Sequence, residues 1–416
     1  MLTSTDVKQE LIILDPGLRE FGGHHPAMIE ELGCSSVIAQ KNIKVTIYAN
    51  QDCGEDLRVS LSKNDINIIP HFKSDFYCYF YSNEKLSYYS HYIKILASEY
   101  YQALCFFENK KVIFLYHTLN WEHASALSLA IGLYQKRGGQ NHQHLVCLMY
   151  NPSFMGDYGD IDKSRYLKFH LGFSALSKLS NVSLHAAEYE LTKNYQAMLG
   201  QVIDWHPCGL LSAQYIEEIN DNRNTKNKIL IYIGDAKKNK GFLVLPNLLK
   251  QLMETISDPN IRFVMQYTIT NDSKELADVD AALLKLQRKD SRVVLYRHFL
   301  SGEEMHQLWL NTTHIVFNYD ESAYQNQSSG VLWLAAAYKV NLYLMTDTWL
   351  NREAKRLDCN YYECKNMKQL TQCLSDNIKY VKHKNIEIHD GSEYSQRLFS
   401  DLGEWLVEKL TTTRGS

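Results

Sequence analysis

Two glycines and two histidines follow the first apolar stretch of the sequence, in the order Phe21-Gly22-Gly23-His24-His25. Gly22 and Gly23 would let the backbone approach a ligand closely, and the start of the helix predicted after them favours an anion. Histidine exchanges a proton near neutral pH, so His24 and His25 are candidate general bases. A tight strand-to-helix turn without a ligand is the alternative interpretation.

A third histidine, His117, follows the apolar run Val112–Tyr116, and Trp121, Glu122 and His123 come just beyond it. In an open α/β sheet, ligands bind at the carboxyl ends of the strands, which is where this pattern would place His117. We therefore treat His117 as a candidate catalytic residue. A structural role is an equal alternative for a lone histidine.

A basic, glycine-bounded turn opens the second half of the chain, with the sequence Gly234-Asp-Ala-Lys-Lys-Asn-Lys240-Gly241. A lysine here would present its ammonium group to a phosphate as a point charge, so Lys237 and Lys240 are candidate substrate-binding residues. A solvated basic turn is the alternative interpretation.

A second candidate phosphate site is Ser328-Ser329-Gly330, which precedes an apolar helical stretch. Serine is a good N-cap residue, and the free amides and dipole at a helix start would suit a diphosphate. A plain N-cap without a ligand is the alternative. By contrast, the pattern from Ser301 to Glu304 predicts a purely structural capping box.

We expect no metal site. Asp160 and Asp162 form a D-x-D pair that could hold a divalent cation, but the pair lies in a polar run of mixed composition. His142 and His144 could share one face of a strand, yet no third ligand is near them in the sequence.

Apolar runs alternate with helical stretches, which is typical of an α/β protein with parallel sheets. The predicted strands are 11–14, 44–48, 66–69, 112–116, 144–149, 183–186, 201–204, 228–233, 262–266, 292–296, 315–317 and 342–345. Two such series predict two Rossmann-like, doubly wound domains facing a cleft. We place the acceptor-side domain at residues 1–206, completed by a closing helix within 391–416, and the nucleotide-sugar-binding domain at 207–390.

The amino-acid composition is typical of a folded globular protein. The chain has 416 residues, 45% of them apolar, and a net charge of −3, which argues for two folded domains and against a nucleic-acid binder. Nine scattered cysteines predict reduced thiols in a cytoplasmic protein. No apolar run approaches the roughly 20 residues that span a bilayer. Peripheral contact with the inner face of a membrane stays open as an expectation.

Aromatic residues cluster from residue 71 to residue 107, and the whole chain contains 28 tyrosines. One interpretation is a helical region whose rings fill the core and cover the domain surface. The other is an acceptor platform, because aromatic faces stack on sugar rings or lie at a membrane interface.

The order of these segments resembles that of the GT-B glycosyltransferases, specifically the retaining family-four type. The resemblance rests on Asp15–His25, His117, Val182–Tyr195 with His206–Gly209, Gly234–Gly241, Arg292–Leu295 with the following Leu300–Glu304, and Ser329–Leu332. It covers most of the chain and is thin over residues 50–110. It implies that Lys240 and the helix start at Ser329 bind a donor diphosphate, that residues 292–304 cradle the nucleobase, and that His117 lies near the donor sugar.

The sequence also departs from that family. Asp235 stands where an arginine is usual, and Lys237 or Lys238 could replace its charge. The family has two glutamates around this helix, and Asn326 and Leu334 stand in their places. Glu321 is close by but out of register, and we include it among the candidate substrate-binding residues. The usual glycine and proline after the helix are replaced as well, by Lys339 and Asn341.

We therefore expect a metal-independent glycosyltransferase without a cofactor, which moves a sugar from a nucleotide sugar to a glycan, a lipid-linked acceptor or a small molecule. The missing glutamates motivate two alternatives: a non-catalytic glycan-binding or partner subunit of the same fold, and a sugar-nucleotide epimerase.

Overall fold

Runs of leucine, isoleucine, valine and tyrosine become buried strands because a parallel sheet that is covered on both faces needs apolar side chains on each. The computed structural model describes residues 10–62, 66–79, 86–152, 163–211, 215, 218–219, 228–269, 273–380 and 392–412. Described residues within 10–211 and 397–412 form one compact unit, and those within 215–396 form the other. The domain limits given above stay a prediction.

The first unit is built on a seven-stranded parallel sheet with the strand order β3-β2-β1-β4-β5-β6-β7. Its strands are β1 (Glu10–Asp15), β2 (Lys44–Asn50), β3 (Asn67–Phe72), β4 (Ile113–Tyr116), β5 (Gln143–Leu148), β6 (Val182–Ala186) and β7 (Asp204–Trp205). Its helices are α1 (His24–Cys34), α2 (Ser36–Gln40), α3 (Glu55–Ser62), α4 (Leu86–Cys105), α5 (Trp121–Lys136), α6 (Lys163–Ser177) and α7 (Tyr189–Leu199). β1 pairs with both β2 and β4, so the order of the strands reverses beside β1.

Side chains of β1 alternate between two cores, as the two-residue period of a strand requires. Ile12 and Leu14 pack into the core that α4, α5 and α6 cover, whereas Leu11 and Ile13 pack into the opposite core. Three tyrosines of the aromatic segment, Tyr89, Tyr92 and Tyr100, are buried on α4 in the first of these cores. The core interpretation therefore holds for these three rings.

The second unit contains a six-stranded parallel sheet with the order β10-β9-β8-β11-β12-β13. Its strands are β8 (Lys228–Asp235), β9 (Arg262–Thr268), β10 (Val293–Tyr296), β11 (Thr312–Phe317), β12 (Asn341–Met345) and β13 (Tyr361–Cys364). Its helices are α8 (Leu245–Thr255), α9 (Lys274–Lys289), α10 (Gly302–Leu310), α11 (Gly330–Ala337), α12 (Trp349–Arg356) and α13 (Met367–Tyr380), with short 3₁₀ turns at Lys238–Lys240 and Phe242–Val244.

The predicted parallel α/β architecture is confirmed, and the capping box at the start of α10 forms with both of its hydrogen bonds. The additional elements, which were not predicted, are helices α2, α3, α6, α7, α9, α12 and α13 and strand β13. Among the described residues, no helix is both long enough and apolar enough to cross a bilayer.

The closing helix returns to the first unit, as predicted, but it is two helices rather than one: α14 (Glu393–Leu398) and α15 (Leu402–Thr412). The break has a local cause, because the Asp401 carboxylate accepts a hydrogen bond from the Glu404 amide at 2.9 Å and so caps a new helix start. Leu402, Trp405 and Leu406 of α15 then pack into the core that contains Leu11 and Ile13.

We expect Trp405→Ala to lower the free energy of unfolding of the first unit by about 3–5 kcal/mol, because it removes a large buried ring from a core. Trp405 is 3% exposed, and its indole N–H donates to the Trp205 carbonyl at 3.1 Å. Urea unfolding followed by circular dichroism measures the change. The exposed neighbour Glu404 provides the control, since Glu404→Gln should stay within about 0.5 kcal/mol of the wild type. A Trp405→Ala protein as stable as this control would contradict the packing role of α15.

Candidate functional site

A buried carboxylate and imidazole meet at the carboxyl end of β1. Asp15 is 2% exposed and His25 is 5% exposed, and the His25 Nδ1 lies 2.8 Å from one Asp15 carboxylate oxygen and 2.9 Å from the other. Burial would raise the pKa of Asp15, but the His25 charge and hydrogen bond outweigh it and lower that pKa. A carboxylate on Nδ1 fixes the imidazole so that Nε2 faces away from Asp15 as the proton-exchanging nitrogen.

His25 fits because residue 17 has no side chain. A Cβ atom at Gly17 would overlap the His25 ring, and the Gly17 amide donates to the Asp15 carboxylate at 3.0 Å. The glycines of the predicted motif lie on the open side of the same loop: Gly22 and Gly23 are exposed, both have positive φ angles, and Gly23 has open space where a Cβ would be. The loop therefore carries a buried acid–base pair and an accessible backbone.

His24 and His117 lie beside this pair. The His24 ring centroid is 4.2 Å from that of His25 and 5.3 Å from that of His117. Burial lowers the pKa of His117 to about 3, and burial together with the neighbouring imidazoles places the pKa of His24 well below its usual value. Both rings are therefore neutral at pH 7. The structure brings the three predicted histidines together, with His25 as the one that an acid orients.

Tyr77 completes the cluster from a position far away in the sequence. Its hydroxyl lies 3.1 Å from His25 Nε2, and its side chain is 39% exposed, so it joins the buried imidazole to solvent. The adjacent ring of Phe76 stacks on His123 at a centroid distance of 4.2 Å. The hydroxyl of Tyr92 also contacts His123, and it donates to the Asp75 carbonyl at 2.7 Å. This hydrogen bond fixes the chain just before Phe76 and Tyr77.

The stretch from the end of β4 into the first turn of α5 holds several buried polar atoms without a hydrogen-bond partner among the described residues. These atoms are His117 Nε2, Thr118 Oγ1, Asn120 Oδ1 and His123 Nδ1. Glu122 is 1% exposed, and burial raises the pKa of its carboxyl to about 8, so it is mostly neutral at pH 7. Buried polar atoms in native proteins nearly always have partners, so internal water would satisfy this group.

A small cavity lies behind His117. Its lining includes Met28, Leu115, Cys147, His206 and Leu402. The Nε2 of His206 is buried and has no partner among the described residues, like that of His117. Two neutral imidazole nitrogens therefore line one cavity, where a hydroxyl or a water could join them.

In the second unit, the candidate phosphate site begins at the carboxyl end of β8. Gly234 has a φ of 104°, and its amide donates to the Gln266 side chain at 3.0 Å. The Lys240 side chain folds back over this glycine: a Cβ atom built at Gly234 would lie only 3.1 Å from the Lys240 ammonium. The absence of a side chain at Gly234 thus leaves space for the lysine.

The lysines of this turn differ in their partners. Lys237 pairs with Asp235 at 3.2 Å, and Lys238 pairs with Glu275 at 2.6 Å. Among the described residues, no carboxylate lies within ion-pair distance of the Lys240 ammonium. Burial and the Lys237 charge lower the pKa of Lys240 to about 8, against the opposing effect of Asp235. Lys240 is therefore a largely protonated, partly buried cation that an anion could pair with.

A single segment links Lys240 to the start of α11. The Asp320 amide donates to the Asn239 carbonyl at 2.8 Å, and a Cβ at Gly241 would overlap the Asn318 carbonyl. An interaction with the Ser329 side chain lowers the pKa of Tyr319 against the effect of burial, which raises it. The lysine turn is therefore in contact with residues 318–320, and Tyr319 interacts in turn with the residue that precedes α11.

Ser329 occupies the N-cap position of α11, but its side chain makes no capping hydrogen bond. The alternative of a plain N-cap therefore holds for the position of Ser329 but not for a capping bond from its side chain. The amides of Leu332 and Trp333 bond to the Ser329 carbonyl. Those of Gly330 and Val331 have no partner within the helix, since the first N–H groups of a helix never do. The helix start thus keeps free donors beside Ser328.

The glutamates near α11 give no carboxylate to the candidate phosphate site. Glu321 is exposed on a turn, and Leu334 on α11 has an apolar side chain at the position of the expected glutamate. Glu353 is fully buried and accepts hydrogen bonds from Trp333 at 3.0 Å and from Tyr394 at 2.5 Å, which makes it a structural carboxylate.

The candidate metal ligands take other roles. His142 is hydrogen-bonded to the Tyr134 hydroxyl at 3.1 Å, and His144 is hydrogen-bonded to the Tyr116 hydroxyl at 2.8 Å. Both histidines are therefore structural residues of the core. Asp160 and Asp162 lie outside the described residues. Within the described part of the chain, no group of three His, Cys, Asp or Glu side chains could hold a metal ion.

Sequence reasoning did not identify Asp15, Gly17 and Tyr77 as members of the first cluster. Asp15 was recognisable as the polar residue that ends a buried strand. Tyr77 gave no local signal, because it lies 52 positions from His25 and reaches it through the packing of α4.

We expect Gly17→Ala to displace the His25 ring, because the added methyl group would occupy its position. Histidine NMR signals report the change: the resonances of His25 should shift strongly, while those of His142 in the core stay in place. Gly132→Ala is the matched control, since a Cβ there meets no atom within 4 Å. Unchanged His25 resonances in Gly17→Ala would show that the ring does not depend on this close approach.

Comparison with known proteins gives structural matches and no sequence match. No protein-family model and no curated protein sequence matches the chain. The sucrose-phosphate synthase of Thermosynechococcus elongatus matches with a TM-score of 0.60 and 12% identity over 98% of both chains. HepE from Anabaena, solved with UDP and glucose, matches with a TM-score of 0.56 and 10% identity over 97% of this chain and 99% of that one.

A third structure, from Listeria monocytogenes and provisionally assigned as a UDP-N-acetylglucosamine 2-epimerase, matches with a TM-score of 0.58 and 10% identity over 98% of this chain and 97% of that chain. At these identities the similarity concerns the fold. The expected fold is confirmed: the chain consists of two parallel α/β units of the GT-B type, which glycosyltransferases share with sugar-nucleotide epimerases.

Proposed function

We propose that this protein is a glycosyltransferase whose second unit binds the diphosphate of a nucleotide-sugar donor and whose first unit binds the acceptor. The observation that carries the proposal is Lys240, a partly buried ammonium group with no carboxylate partner in the described structure, on a turn that contacts the 318–320 segment before the helix start at Ser329 and Gly330. A fold of the GT-B type supports the same assignment.

The donor side supplies electrostatic stabilisation. As the bond from the sugar carbon to the diphosphate breaks, negative charge grows on the leaving phosphate oxygens. Lys240 and the free amides at the start of α11 would neutralise it, and fixed donors that face a developing charge are an effective source of catalysis. These groups take the place of a metal ion, so we propose a reaction that needs neither a metal nor a cofactor.

The acceptor side supplies the base. The acceptor hydroxyl would give its proton to His25 Nε2, either directly or through the Tyr77 hydroxyl, while its oxygen forms the new bond to the sugar. Asp15 would hold the imidazole in the required tautomer and stabilise the imidazolium that forms. His24, His117 and the backbone at Gly22 and Gly23 would position the acceptor as neutral hydrogen-bonding groups.

Lys240→Ala should weaken the binding of pyrophosphate and of UDP roughly 10- to 100-fold, which is the usual loss when a charge-assisted hydrogen bond is removed. Pyrophosphate tests the site without any assumption about the base, and calorimetry measures both ligands. Lys238→Ala is the control, because Lys238 is exposed and already paired with Glu275. Equal affinities in Lys240→Ala and the wild type would overturn the assignment of the phosphate site.

The same interaction should depend on pH. Since the pKa of Lys240 is about 8, the free protein loses this positive charge as the pH rises through 8. Above that pH, diphosphate binding must take up a proton, and the affinity should fall by up to about tenfold per pH unit. Because the phosphates of the ligand titrate as well, the quantity to compare is the ratio of the wild-type affinity to that of Lys240→Ala. This ratio should be constant below pH 7, where the Lys240 charge is fully present, and should fall as the pH rises through 8. A ratio that stays constant across pH 8 would contradict the role of Lys240.

Asp15→Asn should lower kcat by about 10³-fold or more, because an amide would favour the wrong tautomer of His25, and His25→Gln should act alike. The measurement is the release of nucleotide from a panel of nucleotide sugars with mixed glycan and lipid-linked acceptors. Pyrophosphate binding should stay unchanged in both variants, because the phosphate site lies in the other unit. Circular dichroism and the thermal midpoint separate lost catalysis from lost folding of the first unit. A variant with normal turnover would exclude His25 as the base.

One observation favours a second candidate function. Leu334 offers no polar atom where a glutamate would bind the donor ribose, which is compatible with a non-catalytic binding subunit of this fold. A protein that binds diphosphates but releases no nucleotide in the presence of any acceptor would support that function. Conversion of the sugar nucleotide without an acceptor would instead indicate an epimerase.

A further inference from the structure

The outer surface of helices α4, α5 and α6 exposes an unusual number of apolar side chains. The three helices pack side by side, with α5 between α4 and α6. Six of their large apolar residues are 42–61% exposed: Tyr88, Ile95, Leu129, Leu133, Leu167 and Leu171. We name this surface the helical face. Single exposed leucines are common in soluble proteins, but several on adjacent helices usually mark an interaction site.

The charges of the helical face have one sign. The three helices contain two acidic residues, Glu99 and Glu122, which are 7% and 1% exposed. The cations Lys94 and Lys136 are exposed on the same helices. Lys168 lies over the Tyr89 ring, 4.7 Å from its centroid. No exposed carboxylate therefore balances these lysines on the three helices.

We propose that the helical face binds an anionic lipid surface. Such a surface complements both features at once, because leucine and tyrosine side chains enter the boundary between headgroups and acyl chains while lysines meet the lipid phosphates. A second copy of this chain fits less well, since like charges would face each other across a symmetric contact. This proposal stands whether or not the protein transfers sugars.

Part of the helical face lies at the same edge of the first sheet as the histidine cluster. Helices α4, α5 and α6 each follow the carboxyl end of a strand of the first sheet, so their first turns lie at the same edge as His25 and His117. Tyr89 and Trp121 in the first turns both contact Lys168. The end of the helical face that carries Tyr88 and Leu167 would thus lie next to the acceptor side of the first unit, where an acceptor carried on a lipid would arrive, while Leu133 and Lys136 in the last turn of α5 lie away from it.

Flotation of the full chain with lipid vesicles tests the proposal, in the absence of nucleotide. We expect binding to vesicles of phosphatidylcholine with about 30 mol% phosphatidylglycerol, weak binding to phosphatidylcholine alone, and release as salt rises well above about 0.1 M. Leu167→Gln combined with Leu171→Gln should abolish flotation. Lys94→Gln combined with Lys136→Gln should weaken it about tenfold or more.

Matched controls separate the face from general changes in polarity and charge. Val59→Gln with Val202→Gln removes two other exposed apolar residues of the first unit, which are 58% and 82% exposed. Lys250→Gln with Lys285→Gln removes two exposed lysines of the second unit. Both controls should float like the wild type, and circular dichroism and the thermal midpoint verify folding of every variant.

Several results would overturn the proposal. They are the absence of flotation with anionic vesicles, equal flotation with neutral vesicles, and equal loss in the control variants. A dimer in solution that Leu167→Gln with Leu171→Gln converts to a monomer would assign the face to self-association instead. Because no step uses a nucleotide, failure here leaves the proposed donor site untouched, and failure of pyrophosphate binding leaves the helical face untouched.

Discussion

Parallel pairing of β1 with both β2 and β4 is the constraint on which the first cluster depends. It places the carboxyl ends of neighbouring strands at one edge, and the chain leaves each strand there through a loop. Asp15 at the end of β1 and His117 after β4 therefore approach each other although about a hundred positions separate them. The second unit repeats the arrangement, with Gly234 at the end of β8 and the 318–320 segment after β11. Both candidate sites are consequences of strand order more than of any local motif.

Burial then gives the grouped side chains their chemical character. At the first edge it keeps His24 and His117 neutral, whereas Asp15 stays ionised because it is paired with an imidazole. In the second unit it leaves Lys240 charged but easy to deprotonate. Each group is thus held close to the protonation state that its proposed task requires. The apolar cores of the two sheets offset the unfavourable free energy of burying these polar groups.

Most of the sheet strands could be predicted from the sequence, and so could the grouping of His24, His25 and His117, because apolar runs followed by glycine, histidine or lysine mark strand ends directly. What escaped prediction depends on distant contacts. Tyr77 reaches His25 from a segment that Tyr92 of α4 holds at Asp75, and Ser329 stands at the N-cap of α11 without a capping bond from its side chain. The break before α15 was visible in principle at Asp401, but a continuous helical pattern from residue 393 to residue 410 concealed it.

The contact between Gly241 and the Asn318 carbonyl has a consequence for the timing of ligand binding. With no side chain at residue 241, the lysine turn rests directly on backbone and is held again by the hydrogen bond between Asp320 and Asn239. The entropy of ordering this turn is spent when the chain folds, not when a ligand arrives. Lys240 is therefore preorganised, and an incoming anion would meet a receptor that is already assembled, so that its capture is governed by diffusion and electrostatic attraction instead of a slow loop rearrangement.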